Sequence, residues 1–285
     1  NDHDIAMGYQ NPAILGDSTL GDIYIMYHPY FAGINRICAI TQFNARKIGP
    51  LTAGILFTDY GTLDETNELG AVISTFQAQD YVLYLSKSHS ISSFTMGINF
   101  KIAGSYISTM GANALLIDLG GIYRSPHQNF TVGMVIKNLG FLITDFTINE
   151  KTSLPFNILI GTTFKPEHMP FRFIITATDL VRTSDDLFLS NLSQKIRQSD
   201  QIFRYFNFGT TLILGKRLEL NFGYNHRQRV TFSLNEMAYG AGISFGFLLK
   251  INSYEFQFSN SKIHASGASQ FFSIKTNTSA LKKIF

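Results

Sequence analysis

The sequence predicts an all-β protein: a 14-stranded antiparallel transmembrane β-barrel with an N-terminal plug. Three observations carry that expectation. Between Leu20 and Asn277 apolar and polar residues alternate again and again, in segments close to the ~9–11 residues that a tilted strand needs to cross a bilayer. Charged residues make up only 15% of the chain against an ordinary ~25%, while the aromatics comprise 26 Phe, 13 Tyr and no Trp. The connections alternate between short and long, as in barrels with tight periplasmic turns and longer external loops.

Successive side chains of a strand point to opposite faces, so each segment has one greasy and one small or polar face. Leu218, Leu220, Phe222 and Tyr224 alternate with Arg217, Glu219, Asn221 and Gly223; Ile243, Phe245, Phe247 and Leu249 alternate with Gly242, Ser244 and Gly246. Tyr254, Phe256 and Phe258 continue the pattern. Period-two segments fall near 20–28, 33–43, 50–59, 79–87, 93–103, 113–123 and 129–138, then 155–164, 170–179, 204–213, 217–226, 239–249, 253–260 and 268–277. An even count returns the chain to its starting side.

Short connections are expected at Asn44–Gly49, Ser88–Ser92, Arg124–Gln128, Lys165–Met169, Leu214–Lys216 and Lys250–Asn252. Long ones are expected at Tyr60–Ala78, Gly104–Ala112, Leu139–Leu154, Leu180–Phe203 and Arg227–Ala238, and Pro29–Ala32 is an exception, short where length is expected. Residues 1–19 break the alternation. Proline fixes its own φ and pushes Asn11 toward an extended conformation, so Asn11-Pro12 is a turn. Asn11 and Pro12 are the candidate plug residues, the alternative being a disordered N-terminus; the barrel takes 20–277, and 278–285 forms a periplasmic tail.

Several classes are disfavoured. No run approaches the ~18–20 apolar residues of a membrane-spanning helix, so a spanning chain must use strands. A net charge of +3 with scattered cations leaves no footprint for nucleic acid. A soluble β-sandwich shares the alternation, but its second face would carry more charge than the Gly, Ser, Thr and Asn found here. Asn1 is followed by neither a basic nor an apolar leader stretch, as expected of a mature exported chain.

No catalytic, metal or cofactor constellation emerges. The seven histidines, His3, His28, His89, His127, His168, His226 and His264, lack ligand spacing and read as solvated residues of turns and strand ends. Cys38 has no partner and reads as a small apolar wall residue. Asp64-Glu65 and Asp185-Asp186 read as solvated loop charges, with a divalent cation or lipopolysaccharide phosphate as the sharper reading. Gly120-Gly121 suggests a bend or a close contact with the plug. In the loop from Leu180 to Phe203, Leu189, Leu192 and Ile196 fall at helical spacing behind Ser184, Asp185 and Asp186, which can cap a helix start. Phe188, Leu189 and Leu192 are the candidate docking residues, facing either a partner protein or the barrel mouth.

The stretch Asp4-Ile5-Ala6-Met7-Gly8-Tyr9-Gln10-Asn11-Pro12-Ala13-Ile14-Leu15 resembles the N-terminal hatch of FadL-like outer-membrane barrels. In finer detail the chain is similar to the PorQ group within that family, relatives of PorV in the bacterial type IX secretion system. The similar stretches include Tyr30-Phe31-Ala32-Gly33-Ile34-Asn35, Asn67-Glu68-Leu69-Gly70, Phe76-Gln77-Ala78-Gln79-Asp80-Tyr81, Leu154-Pro155-Phe156, Pro170-Phe171-Arg172-Phe173, Phe222-Gly223-Tyr224-Asn225 and 264–274. The resemblance covers nearly the whole chain, through the order and spacing of motifs that are individually weak. Two departures stand against it, the short first loop and the residues beyond Asn277 as far as Phe285.

That resemblance implies a non-enzymatic barrel in the bacterial outer membrane. Its role would be to anchor the machinery that attaches cargo to lipopolysaccharide, chiefly by holding a PorZ-like surface protein near PorU and PorV-like components. Outer-membrane lipid and lipopolysaccharide would be its other partners. The rival expectation is a FadL-like transporter of hydrophobic small molecules; a soluble lipid-binding barrel is opposed by the length of the chain and its continuous apolar face.

Overall fold

The computed structural model describes residues 4–127, 129–147, 152–181, 202–231, 240–264 and 267–281. Among them are fourteen strands, one for each alternating segment. The first seven are β1 (Asp22–Pro29), β2 (Asn35–Ala45), β3 (Gly49–Thr66), β4 (Val72–Ile91), β5 (Phe94–Ile107), β6 (Met110–Arg124) and β7 (Phe130–Thr144). The others are β8 (Asn157–Phe164), β9 (Phe171–Ala177), β10 (Phe206–Leu214), β11 (Leu218–Asn225), β12 (Ile243–Ile251), β13 (Tyr254–His264) and β14 (Gly267–Asn277). Each pairs antiparallel with its sequence neighbours, and β14 closes on β1 with Asp22 opposite Asn277 and Tyr27 opposite Phe272.

The seam is tied at its turn-side end. The Asn277 side-chain amide donates to the Leu20 carbonyl (2.9 Å) and the Asp22 carboxylate (2.8 Å), and the Thr278 amide donates to Gly21 (2.8 Å). Closure matters because an unpaired main-chain group in hydrocarbon costs several kcal/mol. In the three described hairpins with only two turn residues, one takes a positive φ: Ser92 (54°), Ser108 (55°) and Asn252 (54°).

Burial fixes which face is which. Tyr24, Met26, Cys38, Ile40 and Tyr84 are buried together with Ile5 and Leu15 of the N-terminal segment, so this parity points inward. Antiparallel partners share a face, and the register carries the opposite parity from Ile25 through Ile274, Phe256 and Leu249 to Phe245 and Phe222. Phe245 is 53% and Phe222 56% exposed, as lipid-facing side chains of a solitary barrel must be. A closed, even-stranded antiparallel barrel with this apolar exterior is an outer-membrane barrel.

The long-loop expectation needs correction at two places. Tyr60–Ala78 is not a loop: β3 and β4 run on to Thr66 and Val72 and meet in a tight Asn67–Gly70 turn. Gly104–Ala112 likewise is mostly strand, because β5 and β6 turn over at Ser108 and Thr109 alone. In both, the extra length sits in strands that rise above the span. The connection after β1 is short as read, a single 3-10 turn at Phe31–Gly33. The rim is therefore uneven: β3–β7 have 14 to 20 residues each, and β8–β12 have 7 to 9.

An arginine at mid-bilayer on a barrel's lipid face costs ~2–4 kcal/mol. Phe245→Arg is therefore expected to lower the folded fraction in vesicle refolding, read by the heat-sensitive gel shift of folded barrels. The inward Ser244→Arg is expected to be the milder change, and equal loss in both would contradict the assignment of faces.

Candidate functional site

Two features stand out once the barrel is built: what the N-terminal segment touches, and what rises above the rim. The segment forms three 3-10 turns, Ile5–Met7, Pro12–Ile14 and Asp17–Thr19. Asp4 and Asn11 cap the first two, their side chains accepting from the Ala6 (3.1 Å) and Ala13 (3.0 Å) amides. Proline at the first position of the second turn has no amide to leave unpaired.

These turns pack against inward-facing wall residues. A Cβ on Gly97 would lie 2.4 Å from the Pro12 carbonyl carbon, and one on Gly120 would lie 2.1 Å from Asn11 Oδ1, so both strands come this close only as glycine. The segment is also hydrogen-bonded to the wall. Asn99 donates to the Gly8 carbonyl (3.3 Å), Lys137 to Gln10 Oε1 (2.8 Å) and the Ser88 hydroxyl to the Leu15 carbonyl (3.0 Å). Gln42 Nε2 donates to the Gly16 carbonyl (3.2 Å), and Thr19 bonds its side chain to Gln42 Oε1. Nearer the turn side, Lys275 lies 3.7 Å from the Asp4 carboxylate and 2.9 Å from Glu255.

At the centre lies a charged cluster. Lys101 Nζ and Asp118 Oδ1 are 2.6 Å apart, with side chains 1% and 0% exposed. Asp118 also accepts from the Asn99 side chain (3.1 Å) and the Asn138 amide (2.8 Å), while Lys101 donates to Asn138 Oδ1 (2.5 Å). Tyr9 lies against Tyr84, centroids 5.4 Å apart, with the Lys137 ammonium 4.7 Å from its ring centre and that of Lys101 5.4 Å away. The cluster sits at a β-bulge, where Asp118 alone faces Lys137 and Asn138 between the pairs Ile117–Leu139 and Leu119–Ile136, and Asn138 takes φ 61°. Beyond it β7 leaves β8, whose pairing stops at Lys137–Asn157, and continues beside β6 alone.

The second feature is the β3–β4 hairpin. Asp59 pairs with Asn35 of β2 and Ala78 with Ile107 of β5, and the Gln77 carbonyl still accepts from the Ser108 amide (2.9 Å), but among the described residues Leu63–Thr66 and Val72–Phe76 pair only with each other. Gly61, at φ 75° with its amide bonded to Asp59 Oδ1 (2.9 Å), makes the bulge at which the ribbon departs. Asn67 Oδ1 closes the tip, accepting from the Leu69 (3.0 Å) and Ala71 (2.9 Å) amides. Leu69 is 92%, Ile73 61% and Val72 59% exposed there, beside Asp64, Glu65 and Glu68. Further round the rim, Thr152 donates its hydroxyl (2.5 Å) and amide (2.8 Å) to Asp145, holding that carboxyl below the usual carboxylate range.

Asn11 and Pro12 therefore lie against Gly97, Gly120 and Gly133, while Phe188, Leu189 and Leu192, with Asp185 and Asp186, fall outside the described residues. Asp64 and Glu65 belong to the ribbon, and Cys38 is buried among the inward apolar residues. Among the described residues no three His, Cys, Asp or Glu side chains gather as a metal site. Sequence reasoning missed Lys101, Asp118 and Lys137; the available signal was a charge in the inward register of otherwise uncharged mid-strand sequence.

No protein-family model and no curated protein matches the chain. Solved barrels resemble it in shape. A TodX monoaromatic hydrocarbon channel variant aligns over 96% of this chain and 94% of its own at 12% identity and TM-score 0.49. A Pseudomonas aeruginosa FadL homologue aligns over 96% and 94% at 9% identity and TM-score 0.46, and the KdgM porin over 90% and 98% at 6% and 0.41.

Removing one partner of a buried ion pair strands the other charge and costs ~3–5 kcal/mol, whereas replacing both by apolar residues costs far less. Lys101→Met alone is accordingly expected to lower the urea midpoint of unfolding clearly, and Lys101→Met with Asp118→Leu to recover most of the loss.

Proposed function

We propose that this outer-membrane barrel is a non-enzymatic docking platform at the cell surface, in the manner of the PorQ barrels of type IX secretion that its sequence resembles. On this reading it holds a PorZ-like surface protein close to PorU and PorV-like components, and so supports cargo attachment to lipopolysaccharide. The observation that carries the proposal is the β3–β4 ribbon. A two-stranded ribbon with no third strand is marginal in water, and among the described residues this one leaves Leu69, Val72 and Ile73 uncovered together with both edges beyond Gln77. Apolar anchors on a projecting element with free edges are what a partner's strand or groove recognises. The N-terminal segment, occupying lumen space beside β4–β6, serves as a plug in the same reading.

The expected outcome is specific. Replacing Leu69, Val72 and Ile73 by Ser together leaves the barrel folded, while the surface partner washes off the cells and cargo attachment falls. Partner retention by that variant would defeat the ribbon as the docking element.

A second reading, transport of a hydrophobic small molecule, draws on the parting of β7 from β8 beyond Lys137, next to a segment held in the lumen by polar contacts. Deleting residues 4–16 is expected to raise single-channel conductance in planar bilayers if the segment is a plug. Uptake of a labelled fatty acid into vesicles bearing the intact chain would favour transport over docking.

A further inference from the structure

The exterior of a barrel is ordinarily convex, yet the outer wall over β1–β7 is hollowed. An apolar groove of about 1280 Å³ crosses it. It follows one line of register through the outward residues Ile25, Ala39, Ile55, Leu83, Ile102 and Leu115. On the inner side, Gly97 and Gly120 let β5 and β6 close on the main chain of Pro12 and the side chain of Asn11. On the outer side, Ala39 and Ala53 leave the floor low. The volume exceeds the ~300–1,000 Å³ of a site for one drug-sized ligand.

This groove opens onto the hydrocarbon of the bilayer, so apolar chains fill it. A second copy does not: a two-fold contact places the same patch on itself, and hollow against hollow leaves the space open. Charge identifies the occupant further. Lys87 lies on the outward face of β4, two residues nearer the turn side than Leu85 of the groove, and its ammonium donates to the Ile48 carbonyl in the β2–β3 turn. That turn carries Arg46 and Lys47, both exposed. The long connections, after β7, β9 and β11, all lie at the opposite end, which marks the end bearing this turn as periplasmic, so three cations stand at headgroup depth below the groove, where phosphate oxygens accept charge-assisted hydrogen bonds.

We propose that the groove and these cations form a binding site for an anionic phospholipid of the periplasmic leaflet, its acyl chains along the groove and its phosphate at Arg46, Lys47 and Lys87. The site needs neither the ribbon nor a surface partner, and it stands or falls apart from the docking reading.

The test is native mass spectrometry of the purified full-length barrel, titrated with phosphatidylglycerol and, separately, with phosphatidylethanolamine. The intact chain is expected to retain phosphatidylglycerol at concentrations where phosphatidylethanolamine is lost. Arg46→Gln, Lys47→Gln and Lys87→Gln are expected to weaken phosphatidylglycerol binding about fivefold for each cation removed, and to leave phosphatidylethanolamine unchanged. Ala53→Phe, or the smaller Ala39→Leu, fills the groove and is expected to weaken both lipids equally, with folding checked by the gel shift. Equal affinity of the intact chain for the two lipids, or binding untouched by either class of variant, overturns the site.

Discussion

One constraint governs this molecule: within hydrocarbon every main-chain donor and acceptor must find a partner inside the protein. The chain meets it by returning β14 to β1, and the Asn277 amide and Thr278 fasten the seam where the chain re-enters water. Sidedness follows from closure. Once the register is circular, the parity of one buried residue such as Ile40 fixes the parity of all the others, and Phe245 has no option but lipid.

Closure also encloses a lumen. Fourteen strands make it too wide for wall side chains alone to fill, and the N-terminal segment packs against one side of it. Ile5, Ala13 and Leu15 are buried against the β1–β7 side, where glycines admit the main chain of Pro12, while Gly209, Gly223 and Gly246 keep the opposite wall thin. The Lys101–Asp118 pair belongs to this arrangement. A buried ion pair is a poor source of stability, but this one accepts from the Asn138 amide at the bulge, stands beside Tyr9, and through Asn99 reaches the Gly8 carbonyl. It fixes where β7 bends and where the segment rests, which an apolar pair of equal volume could not specify.

The fourteen strands were legible because lipid enforces alternation: Leu218 to Tyr224 and Ile243 to Leu249 could only be read one way. The same rule explains the failure at Tyr60–Ala78. Above the membrane both faces of the ribbon meet water, so Thr62, Asp64 and Thr66 replace the greasy parity, and the strand continues on main-chain pairing that leaves no period-two trace. The central cluster was illegible for another reason. Asp118 meets Asn99 because the β5–β6 register places them opposite, and meets Lys101 as the diagonal neighbour of its partner Leu116. Seventeen positions separate the two charges in the sequence, and only the register brings them together.

Wall height, the packed N-terminal segment and the projecting ribbon all fall on one side of the barrel. The N-terminal segment rests on β4, β5 and β6, beside β3, and β3 and β4 are the strands that rise furthest; the apolar groove lies on the lipid face of the same side. On the proposed docking reading, a platform gains from both the height and the packing. The packed segment stiffens the strands at their base, so the ribbon above them is held by β2 and β5 up to Asp59 and Ala78 before it stands alone. On the proposed docking reading, a ribbon so anchored offers its apolar tip to a partner with little orientational entropy left to lose on binding. On that reading the asymmetry of the barrel serves what is held above the membrane, whereas the transport reading places its path at the parting of β7 from β8.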